Sequence, residues 1–168
     1  PVGPDPPRMS TIRVVWGGAT GPTAMASYDA ALAAAAVHDF NLVTVSSVVP
    51  VYATIAVEGT APDLGPAGER LTVVQSRDTV GPEGERPAVA GLGWARSADD
   101  GPGIFYEAAG DDEAAVRERI EAGLDYGAGL RDWDVAERTV EVRSSEAALE
   151  GYTTQVLLAV YGDSDPIC

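Results

Sequence analysis

The stretch Val43–Pro50 sets two adjacent hydroxyls, Ser46 and Ser47, in a run that apart from Thr44 is apolar. A serine hydroxyl is a nucleophile when a neighbouring group takes its proton. Three further polar groups are spaced around the pair. Asn41, the single asparagine of the chain, precedes Ser46 by five residues. Asp29 lies on the segment leading into this stretch, and Glu107 sits among Ile104, Phe105 and Tyr106. If Glu107 points inward, it is desolvated and its pKa rises, as a proton donor needs. If it points outward, it is an ordinary exposed acid, and alternation alone leaves both open. Taken alone, the serine pair reads as two hydroxyls bonded to nearby backbone.

Other chemistry is narrowed by counting. Cys168 is the single cysteine and His38 the single histidine, which leaves no intrachain disulfide and no thiolate or paired-imidazole metal site. A Ser-His-Asp hydrolase would depend on His38 alone and lacks a GxSxG turn. His38 stands where a helix should end, a place the helix dipole favours, and reads as structural. The run Gly17–Pro22 after a strand reads as a loop; it has neither the P-loop Lys-Ser/Thr nor the GxGxxG spacing.

These groups must be carried by ordinary elements. Residues 11–16, 40–46, 51–57, 71–75, 88–96, 103–108, 134–143 and 155–160 read as strands from their β-branched or alternating patterns. Residues 24–37 are rich in alanine and predict a helix lying close to a sheet. Asp111, Asp112 and Glu113 open a second helix at its positive end, with Val116, Ile120 and Leu124 on one face. Residues 59–68 and 81–87 are Gly/Pro-rich loops. Six to eight strands with two main helices predict an α+β class, a sandwich of β-sheets flanked by helices (αββα type).

A chain of 168 residues is long enough for one real core. Residues 1–8 read as a disordered extension before Met9, and 9–168 as a single domain. Acids outnumber bases 26 to 11, every base is Arg, and the net charge is −15. Such a surface repels nucleic acid and anionic membranes. It fits either an acidic patch for a cationic ligand or a halophilic exterior; the even spread of the acids favours the second. No apolar run reaches the roughly 20 residues of a membrane span, and the start has no apolar signal core. A soluble, cytoplasmic protein is expected.

With these residues in view, the chain resembles the pyruvoyl-dependent arginine decarboxylases. The likeness is carried by Tyr28–Ala35 followed by Asn41–Pro50, by Gly103–Gly110 with the acidic helix after it, and by Gly129–Asp134. It runs from about Ile12 to Tyr161. Residues 51–87 match poorly, Pro50 is followed by Val-Tyr where some relatives have a second Pro, and Phe105 stands where relatives carry an aliphatic residue.

The resemblance implies self-cleavage between Ser46 and Ser47. Ser47 Oγ attacks the Ser46 carbonyl, the resulting ester eliminates, and loss of ammonia leaves a pyruvoyl group at position 47. The products would be 1–46 (β chain) and 47–168 (α chain). Asn41 would polarise the bond or hold the ketone. Arginine would then become agmatine and CO2 through a Schiff base, with Glu107 as the proton donor. Asp29 would bind the guanidinium, and Leu32, Ser46 and Phe105 would line the pocket. The same likeness implies a homotrimer with sites between subunits and no metal. The same chemistry on another amino acid such as histidine, and a non-catalytic acidic binding module, are the alternatives.

Overall fold

The computed structural model describes residues 11–168; the expected extension over residues 1–8 lies outside them. The element order is β1 (Thr11–Gly21), α1 (Ala24–Ala34), β2 (Asn41–Thr44), β3 (Val48–Val49), β4 (Thr54–Gly59), β5 (Arg70–Val80), β6 (Ala88–Ser97), β7 (Gly103–Ala109), α2 (Glu113–Gly129), β8 (Val135–Ser145) and β9 (Tyr152–Tyr161). Five strands form one sheet in the order β2-β5-β9-β1-β4, and four form a second in the order β3-β7-β6-β8.

Period-2 alternation along the central strands builds three apolar layers. Val15, Val156, Leu158 and Val160 face α1, where Ala31, Leu32 and Ala35 complete the first layer. Val14, Leu157 and Ala159 face the other way and meet Leu92, Trp94 and Phe105 between the sheets. On the far side, Val116, Ile120 and Leu124 of α2 pack on the four-stranded sheet with Val89, Ala95 and Ile104. Both faces of β6 are covered, so all ten of its residues are buried. Each fully buried Leu, Ile or Val contributes about 1.5–3 kcal/mol. The αββα sandwich expected from the sequence is the observed architecture.

Several boundaries differ from expectation, each for a physical reason. Gly17–Gly21 is not a loop: it continues β1 and pairs with β9 from Val156 to Tyr152. Gly17 is required because a Cβ there would lie 2.1 Å from the Ala31 carbonyl oxygen, so its absence lets α1 settle on the sheet. The first helix stops at Ala34 rather than residue 37, because Ala36 turns to φ 64° and Val37 N–H caps back onto the Leu32 carbonyl at 3.0 Å. The expected strand over 40–46 ends at Thr44, and a short β3 follows. That break separates nine strands from the expected six to eight, and it falls at the serine pair.

Candidate active site

Ser46 and Ser47 are not inside a strand. They lie where the chain leaves one sheet and enters the other. On the upstream side, β2 runs parallel to β5, and Val45 N–H continues that ladder by donating to the Val73 carbonyl at 3.0 Å. On the downstream side, Val48 and Val49 pair antiparallel with Ile104 and Gly103 of β7. Phe105 N–H donates to the Ser47 carbonyl at 2.8 Å, just beyond that ladder. With both flanks fixed in different sheets, the turn is taken at Ser47, whose φ is 67°. A non-glycine residue in this left-handed region is disfavoured by about 1–2 kcal/mol, and surrounding structure must hold it there.

Beside this turn is a cleft of about 330 Å³ bordered by Ser46, Ser47, the 104–107 segment of β7 and Arg131. Glu107 is exposed and opens onto the cleft rather than into the apolar interior. The Ser47 hydroxyl donates to its Oε2 at 3.4 Å, a long hydrogen bond that a small movement would tighten. Phe105 borders the same cleft, but its ring is 2% exposed and turned into the core. There it packs edge-on to Trp94 and Tyr161, with centroids 6.0 and 6.1 Å away. Its contact with the serine pair is through its backbone N–H.

The remaining expected site residues lie elsewhere on the same chain. Asp29, Leu32 and Asn41 border a second depression of about 560 Å³, with Met25, Tyr28 and His38 also on its wall. Asp29 lies on the exposed face of α1. The Asn41 amide donates to the Gly68 carbonyl at 2.8 Å rather than to Ser46 or Ser47. His38 is exposed after the helix, with Nε2 3.6 Å from Asp39 Oδ1. The chain therefore brings together Ser46, Ser47, Phe105 and Glu107, and keeps Asp29, Leu32 and Asn41 apart from them.

Two further residues, Tyr161 beside the cleft and Arg131 on its wall, have no role readable from the sequence. Tyr161, at the end of β9, donates its hydroxyl to the Val48 carbonyl at 3.0 Å. Burial, and then the nearby Glu107 charge, push its phenol well above the usual tyrosine range, so it remains a donor. A tyrosine closing an apolar strand was the sole signal, and an ordinary one. Arg131 follows the last turn of α2; the sequence marked it only as part of the Gly129–Asp134 likeness.

A pyruvoyl group fits this geometry, since it would replace the side chain and amine of Ser47 itself and needs no separate pocket. The Phe105 N–H that now holds the Ser47 carbonyl would remain in place beside it. Among the described residues no cluster of three or more His, Cys, Asp or Glu is arranged to hold a metal.

The family model for pyruvoyl-dependent arginine decarboxylase matches residues 11–166. Proteins named pyruvoyl-dependent arginine decarboxylase from two strains of Halobacterium salinarum are each 48% identical over 162 residues, covering 95% of this chain and 98% of theirs. The chain belongs to the pyruvoyl-dependent arginine decarboxylase family.

Proposed function

We propose that this chain cleaves itself between Ser46 and Ser47 and then decarboxylates arginine to agmatine. The observation that carries the reading is the left-handed Ser47 at the crossover between the sheets, with Glu107 3.4 Å from its hydroxyl. Glu107 is positioned to take the Ser47 proton as Oγ attacks the Ser46 carbonyl. The amide becomes an ester, elimination releases Ser46 as a carboxylate, and hydrolysis expels ammonia from position 47. The strained φ favours departure from the amide geometry.

The pyruvoyl group supplies the electron sink that decarboxylation requires. The chain's own residues bind, orient and move protons. Phe105 N–H holds the carbonyl of residue 47, where negative charge is stabilised. Glu107, on the same wall, delivers the proton to the substrate carbon that loses CO2. Asp29 offers a carboxylate to the guanidinium, a match of bidentate geometry. Asn41 of a neighbouring copy donates its amide to the reacting carbonyl, Leu32 and Ser46 shape the pocket, and Phe105 borders it through its backbone while its ring stays in the core.

The separation of Asp29, Leu32 and Asn41 from the cleft supports a homotrimer in which one protomer's second depression covers its neighbour's cleft. Exposed apolar residues lie where such a contact would form: Val43 and Val48 flank the serines, and Met25, 74% exposed, stands on the second depression. The closure would also desolvate Glu107. We take 9–168 as one decarboxylase domain cut into 1–46 and 47–168, working in the cytoplasm on free amino acid. No helix among the described residues is long and apolar enough to cross a membrane. The net charge of −15 and the likeness to Halobacterium proteins support a halophilic surface.

Product analysis tests the substrate. Incubation in concentrated salt should yield agmatine and CO2 from arginine and no histamine from histidine. Histamine as the main product would shift the reading to the histidine chemistry, and no turnover of either by cleaved protein would remove it.

A further inference from the structure

The reading above leaves Arg131 without a task, although it stands in the cleft with Ser47 and Glu107. Its guanidinium is held from two sides. Nη1 donates to the Gly127 carbonyl at 2.9 Å, and the group lies 5.3 Å from the centre of the Trp133 ring. Arginine offers five N–H donors in a planar fork, so one bond to Gly127 leaves most of them for another acceptor. No carboxylate of the described residues lies within 4.0 Å of it, although the chain has 26 acids and Glu107 borders the same cleft. A fixed, partly desolvated cation beside a site for a cationic amino acid calls for an anionic group on what binds there.

We propose that Arg131 makes this cleft a carboxylate-binding site. This rests on the decarboxylase reading of the cleft and extends it to the other end of the substrate. Two carboxylates of the same chemistry reach this cleft. One is the α-carboxylate of the incoming amino acid, whose amine must meet residue 47 and whose side chain is directed to Asp29. The other is the chain end that cleavage leaves on Ser46. A planar fork pairs with either by two parallel hydrogen bonds.

For the substrate carboxylate, the consequence has a definite kinetic form. The bond from Cα to the carboxylate breaks with its electron pair left at Cα, so negative charge leaves the group that Arg131 holds. Arg131 then stabilises the bound substrate at least as well as the transition state, and contributes to KM rather than kcat. Agmatine lacks the carboxylate and escapes that hold, which aids its release.

The test compares processed wild-type, R131M and R131K for arginine KM, agmatine inhibition and Tm, beside the uncut backgrounds S47A and S47A/R131M for Tm. If the substrate carboxylate is bound, R131M raises KM about 10- to 100-fold with kcat equal or higher, R131K falls between, and agmatine inhibition changes less than about twofold. If the Ser46 end is bound, KM and agmatine inhibition keep their ratio. R131M then lowers Tm only in the cleaved protein, and the 1–46 chain dissociates from it more readily. Either result supports a carboxylate site. Unchanged KM and Tm in R131M overturn it. So does an equal Tm loss in cleaved and uncut backgrounds with arginine and agmatine weakened alike, which marks a structural residue. Should R131M not fold, the R131K shift in KM against agmatine inhibition decides by the same criteria. Failure of wild-type protein to cleave or to make agmatine would instead reject the underlying reading.

Discussion

The hydroxyl of Ser47 lies 3.4 Å from the carboxylate of Glu107, although the two residues are 60 positions apart in the chain. The contact exists because β3 pairs with β7, placing the crossover alongside the strand that carries Glu107. One carboxylate is thus available to both stages of the chemistry. Glu107→Gln keeps the shape and loses the charge. Cleavage should slow by about 10-fold, and decarboxylation by the cleaved fraction should drop about 100- to 10,000-fold, the range for loss of a general acid. Intact-mass time courses and agmatine assays on the same sample separate the two, and full activity of the cleaved variant would take Glu107 out of the mechanism.

Tyr161 tethers the strand that follows the proposed cleavage point through its bond to the Val48 carbonyl, 3.0 Å long. Tyr161→Phe should slow cleavage while shifting Tm little, because the ring contact with Phe105 is kept. The phenol also has a pH signature. Its folded pKa is raised, so the unfolded chain loses its proton first, and its contribution to stability is present below about pH 10 and declines above that. Alkaline melting curves should therefore fall less steeply for Tyr161→Phe than for wild type; identical slopes would assign the alkaline loss to other groups.

Asp29 and Glu107 border different depressions of the chain. If each site is shared between neighbours, Asp29→Asn and Glu107→Gln are inactive separately but complement in mixed trimers. Equal mixing should restore about a quarter of the wild-type sites, those that join the two intact halves. Activity that stays at the level of the separate variants after subunit exchange would place each site within one chain.

Gly93 sets the distance between α2 and the four-stranded sheet. A Cβ there would lie 2.4 Å from Ile120 Cγ2. Gly93→Ala should destabilise the fold by about 1–3 kcal/mol, lowering Tm by roughly 2–12 °C. An unshifted melting curve would mean that α2 moves away without loss, and that Arg131 is less firmly placed than its contacts indicate.

The sandwich was legible because its patterns are strong and local. Val14 and Val15, or Leu157 and Leu158, fall to opposite faces of their strands, and Val116, Ile120 and Leu124 recur at helical spacing. The serines, Phe105 and Glu107 were found by type and by likeness, and one cleft gathers them. The break of the strand at Thr44 was hidden, because Val43 to Val49 is apolar enough to continue and only pairing with two different sheets stops it. The extension of β1 through Gly17–Gly21 was hidden for the opposite reason: glycines read as a turn, whereas here they admit α1 at close range. The direction of Glu107 could not be read from alternation, since it depends on which strand lies beside β7. Tyr161 and Arg131 act through contacts far from their own segments, to Val48 and the cleft, and no local pattern marks such contacts.

The most direct test of self-cleavage is the intact mass of the purified protein beside that of Ser47→Ala. The expected result is two fragments meeting between residues 46 and 47, with the larger about 17 Da lighter than its serine-ended form, the mass of the ammonia expelled. Ser47→Ala should remain one uncut and inactive chain. A single full-length mass from wild-type protein that makes agmatine would contradict the central claim.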